Sequence, residues 1–415
     1  MAARRAVVPG AADHDGRRSD VRPAHVSRGT PMRIVVVHPS DELYGADRVL
    51  LEVTEILERR GQVRVLLPRD VDYPEHLLTG ALAARGTRSD AVDLPILRRD
   101  YLRARALPGL ARRTWRTWRL LRRVRPDVVY LSTSASLLVA PLARSVGARV
   151  VLHVHETWTG SERRLLGAFL RACGTVIAVS DAVAAQLPRP ADRVAVVHNG
   201  FTVPAASAAD AATLRTGLGV GPHDVVALVA SRWNAWKGHD VLLRAWAGLD
   251  RPDLHLVVLG APPPSGSAVD VDALVAALPD PSRVHVLGSR DDVPAWICAS
   301  DVVLVPSVRP DPLPTIAIEA AALGRAVLAS DSGGLPDIVE DGRTGALVPT
   351  GDVAAWRSAL DALDASVLHA QGGRAVDRFD TMFTKAAFAR RFARVFDAGV
   401  GLGTRAPQHE NEGVR

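Results

Sequence analysis

The sequence predicts an α/β protein made of two doubly wound parallel sheets facing each other across a cleft. Three observations predict it. Short apolar runs alternate with helical patterns along most of the 415 residues. Runs that are apolar throughout belong to strands covered on both faces, as in parallel sheets. The rhythm stops in a stretch rich in Ala, Pro and Gly at 201–223 and then restarts, which gives two sheets. With 47% hydrophobic and 23% charged residues the chain matches the soluble globular average, which excludes a mainly disordered or fibrous protein. No apolar run reaches the ~18–20 residues of a membrane-spanning helix.

Residues 1–31 show neither period and are rich in Arg, Ala, Asp and Pro. They read as a disordered extension without the apolar core of a signal peptide, and Met32, just before the first strand, is the expected native start. Strands are expected at 34–38, 63–68, 128–132, 150–155, 176–180 and 194–198, giving a first domain over 32–203. Within it, 46–60 sets Val49, Leu50, Val53, Ile56 and Leu57 on one helical face. A second domain over 204–383 is expected to hold strands at 225–231, 254–260, 284–288, 302–306 and 326–330, with helices at 240–249, 269–278 and 315–323. A last helix over about 384–396, in a segment 384–400, is long enough to pack back on the first domain, and the polar residues 401–415 read as a disordered tail.

The net charge of +6 is local. Residues 98–125 hold eleven arginines and one acid, Asp100, so the rest of the chain is slightly acidic. Basicity confined to one segment argues against a nucleic-acid binder. At about 100° per residue, Leu107, Leu110, Ala111, Trp118, Leu121 and Val124 fall on one side of a helix there. Arg112, Arg113, Arg116, Arg119 and Arg123 fall on the other, with Trp115 at the border. Such a helix either packs on the first domain with a solvated arginine face or lies on an anionic membrane surface. Lys237 and Lys385 are the only lysines, and Cys173 and Cys298 the only cysteines. Two distant cysteines make neither a disulfide framework nor a zinc site, and fit a reducing cytoplasm.

In parallel α/β sheets ligands bind beyond the C-terminal strand ends, near helix N-termini. Four stretches carry chemistry there. Gly45 opens a helix after the first strand, where a glycine lets backbone N–H groups approach a phosphate or sugar, although an ordinary strand-to-helix turn has the same form. Arg232 and Lys237, five apart in the loop before Gly238, can converge on one anion such as a leaving diphosphate. Asp311, in a Pro-rich loop, and Glu319, in the helix that follows, can face one crevice from different heights and suit the hydroxyls of a sugar and a ribose. His153 and His155 alternate along one strand face, and His155 at the strand end can donate to a sugar hydroxyl. His-x-His lacks a third ligand for zinc. No G-x-G-x-x-G follows a strand and no P-loop is present, which removes support for nicotinamide dehydrogenases and P-loop phosphotransferases.

Together these stretches resemble glycosyltransferase family 4, with its two Rossmann-like domains in the GT-B arrangement. The resemblance rests on the Gly-Ala-acid-Arg loop at 45–48, His155-Glu156, Arg232 with Lys237-Gly238, and the segment 306–324. Asn199-Gly200 and the Gly-Gly-Leu-Pro-Asp-Ile-Val run at 333–339 also fit, and the likeness covers about 33–396. It implies a metal-independent, retaining hexosyltransferase type that moves a sugar from a nucleotide-diphosphate sugar to a hydroxyl acceptor. The acceptor could be a sugar or a lipid-linked or envelope glycoconjugate, and loops at 70–91 and 98–125 are expected to shape its site. By resemblance His155, Asp311, Arg232 and Lys237 act in catalysis. Gly45, Arg232, Lys237, Asp311, Leu313, Thr315, Ile316 and Glu319 bind the donor, and no metal or other cofactor is needed. Three departures stand out: Asp311 replaces the first acid of Glu-x7-Glu, Leu313-Pro314 replaces Phe-Gly, and Tyr44 replaces a second glycine. Proline has no N–H to offer a phosphate, which moves those contacts to Thr315 and Ile316. A cytoplasmic protein is expected, and the amphipathic helix in 98–125 adds peripheral contact with the inner membrane face as a further expectation. The alternative is a non-catalytic or epimerase-like GT-B nucleotide-sugar-binding protein.

Overall fold

The computed structural model describes residues 31–43, 45–98, 106–188, 194–263 and 266–402. Residues 1–30 of the expected extension, Tyr44, part of the basic segment (99–105) and 403–415 of the expected tail lie outside the described residues. The first sheet contains β1 (Met32–Val37), β2 (Gly61–Pro68), β3 (Arg88–Val92), β4 (Val128–Leu131), β5 (Arg149–Val154), β6 (Thr175–Ala178) and β7 (Val194–Val196). Its order is β3-β2-β1-β4-β5-β6-β7, and its pairs are parallel. Helices α1 (Gly45–Glu58), α2 (Leu77–Ala84), α3 (Leu107–Val124), α4 (Val139–Ser145), α5 (Gly160–Leu170) and α6 (Asp181–Gln186) connect these strands.

A second parallel sheet has the order β10-β9-β8-β11-β12-β13. Its strands are β8 (Val225–Ala230), β9 (Leu254–Leu259), β10 (Val284–Gly288), β11 (Val302–Val305), β12 (Ala326–Ser330) and β13 (Gly345–Val348). Helix α7 (Ala208–Gly217) precedes it. Helices α8 (His239–Trp246), α9 (Val271–Ala276), α10 (Val293–Ala299), α11 (Thr315–Ala322), α12 (Leu335–Ile338), α13 (Val353–Asp361) and α14 (Ala365–Met382) cover and follow it, and α15 (Lys385–Gly399) closes the described chain. The two doubly wound sheets are those that the apolar runs predict. β4 and β11 are buried at every residue, which is why they need no polar alternation.

The structure corrects the sequence reading in two places. Residues 70–91 are not an open loop: they contain α2 and most of β3. The stretch 201–223 contains α7, capped by the Ser207 hydroxyl on the Asp210 N–H. Strand β3 escapes the periodicity because it is an edge strand with no fully buried residue, so it needs no continuous apolar run, whereas the apolar edge strand β13 is only four residues long.

Helix α15 returns to the first domain. Phe388, Phe392 and Phe396, four residues apart, are fully buried in the same core as β1, α1 and Tyr130. The Tyr130 and Phe392 rings meet edge-on, with centroids 5.8 Å apart. Arg60 grips Asp397 with two nitrogens at 2.5 and 2.8 Å, and Lys385 Nζ donates to Glu52 at 2.9 Å. The second lysine thus ties α15 to α1.

Strand order reverses between β1 and β4 in the first sheet and between β8 and β11 in the second. At such switch points the connections leave in opposite directions, and a crevice opens beyond the C-terminal strand ends. Among the described residues, no helix is long and apolar enough to cross a membrane.

Candidate active site

At the switch point of the second sheet, one loop leaves β8 and another leaves β11. Lys237, in the 3-10 turn Ala235–Lys237, donates its Nζ to Asp311 Oδ2 at 2.6 Å. The two side chains are 18% and 12% exposed, and the ammonium also lies 4.3 Å from the centre of the Trp236 ring. The loops are tied by the Val308 N–H donating to the Trp236 carbonyl at 2.9 Å. Arg232 is exposed and makes no hydrogen bond or ion pair among the described residues.

Two glycines build this corner. Gly238 has φ 77°, and a Cβ on it would stand 1.9 Å from the Pro306 carbonyl oxygen. Its need is therefore the close crossing of the β11 end. Gly333 has φ 61°, and its Cβ would stand 2.3 Å from the Asp311 carbonyl oxygen. The neighbouring Gly334 N–H donates to that oxygen at 2.7 Å, so the 333–334 turn props the Asp311 loop.

Pro314 is the N-cap of α11, with φ −68° and no side-chain cap. The first N–H groups of α11, from Thr315 and Ile316, have no intrahelical partner. Thr315 is exposed, Ile316 half-buried, and the Leu313 side chain packs in the core. Glu319 lies further along α11. Burial raises its pKa, opposed by a Thr315 hydrogen bond and by the Arg48 guanidinium of the first domain. Arg48 of the first domain thus lies within electrostatic reach of Glu319.

On the first-domain side, Gly45 opens α1, and the space above it is free for 4 Å around a would-be Cβ. Asp47 is buried and bonds His38 Nε2 and Ser40 Oγ, both at 2.5 Å. His38 Nδ1 lies 2.6 Å from Ser132 Oγ, so a side-chain chain bridges the ends of β1 and β4 at the first switch point. His155 stands just past the end of β5, with Asn199 Nδ2 3.5 Å from its Nδ1. Burial pushes its pKa down to about 3, with help from His38 and opposed by Asp47. His155 is therefore a neutral imidazole at physiological pH. His153 is a different case. It is fully buried, and its Nδ1 meets the Tyr130 hydroxyl at 2.7 Å, so it belongs to the core and not to the cleft.

The structure brings Lys237 together with Asp311, and Glu319 together with Thr315 and Arg48. It sets His155 with Asn199 on the opposite wall and leaves Arg232 unattached. Sequence reasoning missed His38, Ser132 and His239, and also the domain junction at His198. There His198 Nε2 and the Asp181 N–H both reach Asp337 Oδ2, at 2.9 and 2.7 Å. A polar residue at the end of an apolar strand was the available signal for His38, Ser132 and His198. Among the described residues, no three His, Cys, Asp or Glu side chains are grouped so as to hold a metal ion.

Buried neutral histidines set an acid limit. His155 sits near 3 and His239 near 4, the latter through burial and the Lys237 charge, against about 6.5 for a free imidazole. Both folded values are depressed, so the unfolded chain binds more protons below pH ~6.5. Their contribution is full above that pH and is lost as pH falls towards 3–4. Urea midpoints should fall between about pH 7.5 and about pH 5, and less steeply in a His155→Asn variant.

A profile described as Glycosyltransferase Family 4 matches residues 44–203, and one described as Glycosyl transferases group 1 matches 223–365. One covers the first domain and the other most of the second. The chain belongs to glycosyltransferase family 4. Relatives of this family 4 protein include the D-inositol 3-phosphate glycosyltransferase of Mycobacterium sp. (strain KMS), 39% identical over 175 residues, which cover 41% of this chain and 39% of that protein. The enzyme of the same name from Streptomyces avermitilis is 35% identical over 248 residues, covering 54% and 53%. The match thus spans between two fifths and about half of the length of these relatives. Among solved structures, Anabaena Alr3699/HepE in complex with UDP has a TM-score of 0.73 at 22% identity, covering 88% of this chain and 100% of that one. A glycosyltransferase from Rickettsia africae has a TM-score of 0.69 at 16% identity, covering 89% and 98%. The family 4 chain has their GT-B fold.

Proposed function

We propose that this protein transfers a sugar from a nucleotide-diphosphate sugar to a hydroxyl acceptor, with retention at the anomeric carbon and without a metal ion. The observation that carries the reading is the Lys237–Asp311 pair at the second switch point, opposite Arg48 and His155 on the other wall. Lys237 and Arg232 hold the diphosphate and stabilise the charge that develops as it leaves. The free N–H groups of Thr315 and Ile316 and the positive end of α11 add to this, while Gly45 leaves space from the opposite side. Glu319 takes the ribose hydroxyls and Asp311, released from Lys237 by the donor, takes the sugar hydroxyls. Neutral His155 positions the transferred sugar.

The bond between the anomeric carbon and the phosphate oxygen breaks, and the acceptor oxygen bonds to the same carbon on the same face. The acceptor's proton passes to the departing phosphate oxygen, so no protein base is required. The Lys237 and Arg232 charges offered to the diphosphate support metal independence. The acceptor is a sugar or a lipid-linked or envelope glycoconjugate. The relatives named for D-inositol 3-phosphate favour a polyol-type hydroxyl. The complexes of Anabaena Alr3699/HepE with UDP and UDP-glucose make uridine donors the first to test.

The test is a thermal-shift panel of UDP-, GDP- and ADP-sugars with excess EDTA. A ligand at a hundred times its Kd should stabilise the protein by about 2.7 kcal/mol. One nucleotide series should raise the midpoint clearly, and the anomer of the product, read by NMR, should match the donor. Stabilisation by none of the three, or an inverted product, would overturn the reading.

A further inference from the structure

Helix α3 leaves much of its apolar side uncovered. Only Thr117 and Leu121 are fully enclosed. Leu107 is 55% and Trp115 52% exposed, Ala111 is exposed, and Trp118 is half-buried. These four residues, at i, i+4, i+8 and i+11, form one shoulder of the helix. With Leu110 and the α4 residues Pro141 and Leu142 they line an open, almost wholly apolar trough of about 800 Å³. The trough continues, past the shared Trp118 and Ser145, into a hollow of about 680 Å³ walled by Arg33, Arg122, Arg125 and Arg149, with Asp127 its one acid.

The arginines divide into two sets. Arg113 is bonded to Asp70 and Arg116 to Asp93, so these two hold the helix to its own domain. Arg112, Arg119, Arg122, Arg123 and Arg125 have no acidic partner among the described residues. Arg119 and Arg122 instead lie over the Trp115 and Trp118 rings, at 4.6 and 4.8 Å. An exposed apolar stripe with tryptophans, bordered by unneutralised arginines, matches the boundary between acyl chains and anionic headgroups. A second copy of this chain fits poorly, because a two-fold contact would lay these arginines against each other.

We propose that the exposed face of α3 and α4 docks on a bilayer containing anionic phospholipid. Leu107 and Trp115 enter the acyl boundary, and the hollow at Arg122 and Arg125 takes headgroup phosphates. Because α3 leads into the start of β4, its Arg125 end lies at the N-terminal edge of the sheet and its Leu107 end towards the cleft. Docking therefore sets the cleft mouth beside the bilayer; that consequence alone rests on the transferase reading.

The test is flotation of the full chain with vesicles of phosphatidylcholine alone and with phosphatidylglycerol added. Binding is expected only with the anionic vesicles and should weaken with salt. Arg119→Gln and Arg122→Gln should each lower partitioning about fivefold. Leu107→Ser with Trp115→Ser should abolish it while melting curves stay unchanged, since both side chains are more than half exposed. No binding to anionic vesicles, equal binding to neutral ones, or undiminished binding by the double serine variant would overturn the proposal. Donor-induced thermal shifts, measured on the same variants, should equal those of the wild type, so failure of docking is read apart from failure of the transferase reading.

Discussion

Replacing Lys237 with alanine is expected to lower turnover of the nucleotide sugar at least a hundredfold while the protein stays folded. The ammonium is a compact charge, mostly buried beside Asp311. Losing one preorganised group that meets developing charge costs about 2.7–4 kcal/mol of barrier, or ~10²–10³ in rate. The stability cost is smaller. It leaves one carboxylate without its cation, on the order of 1–3 kcal/mol between the exposed and buried cases. Lys237→Arg separates charge from shape: a planar fork on a longer side chain keeps the charge but not its position, and recovers only part of the rate. The checks are kcat and kcat/KM with a matched donor and a melting curve for each variant. A Lys237→Ala enzyme within about threefold of wild type would remove this lysine from the transition state.

Phe392→Ala should have the largest effect on stability. The ring is fully buried, edge-on to Tyr130 and 5.6 Å from Phe388 and 6.0 Å from Phe396, centre to centre. Such a truncation removes about 3–5 kcal/mol, from lost burial and the cavity left behind. At roughly 2–4 °C per kcal/mol the midpoint falls by about 10 °C. The loss has a further reach, because after α14 the chain leaves the second domain and returns to the first as α15. The Arg60–Asp397 and Lys385–Glu52 pairs remain, but they are partly exposed and cannot replace a buried ring. Calorimetry on the two proteins checks it, and a midpoint within a degree or so of wild type would mean that α15 is not anchored by this ring.

The candidate site was legible in the sequence to different depths. Lys237, Asp311 and Glu319 stood out as charged residues in loops or helix starts directly after apolar runs. That the first two form an ion pair did not, because Lys237 and Asp311 are 74 residues apart in the chain. His153 and His155 looked alike on one strand face. The structure separates them: His155 lies just beyond the strand end, whereas His153 is covered by Tyr130 and Phe392. Gly238 and the 333–334 turn were visible as glycines, but their reason, the backbone of Pro306 and Asp311 pressing against them, is tertiary. Helix α3 was legible as amphipathic, yet its pattern could not tell which apolar residues a neighbouring helix would cover.

The sequence by itself determined two parallel sheets and the strand-to-helix turns on which chemistry could sit. Apolar runs, helical faces and turn residues are local, and each reports its own few residues. The tertiary structure alone decided the strand orders β3-β2-β1-β4 and β10-β9-β8-β11, and hence the two switch points. From that order follow the bridge between His38 and Ser132 and the pairing of Lys237 with Asp311. It also decided that α15 closes on the first domain while one side of α3 stays open. Contacts between distant segments depend on which surfaces meet, and no local pattern records that.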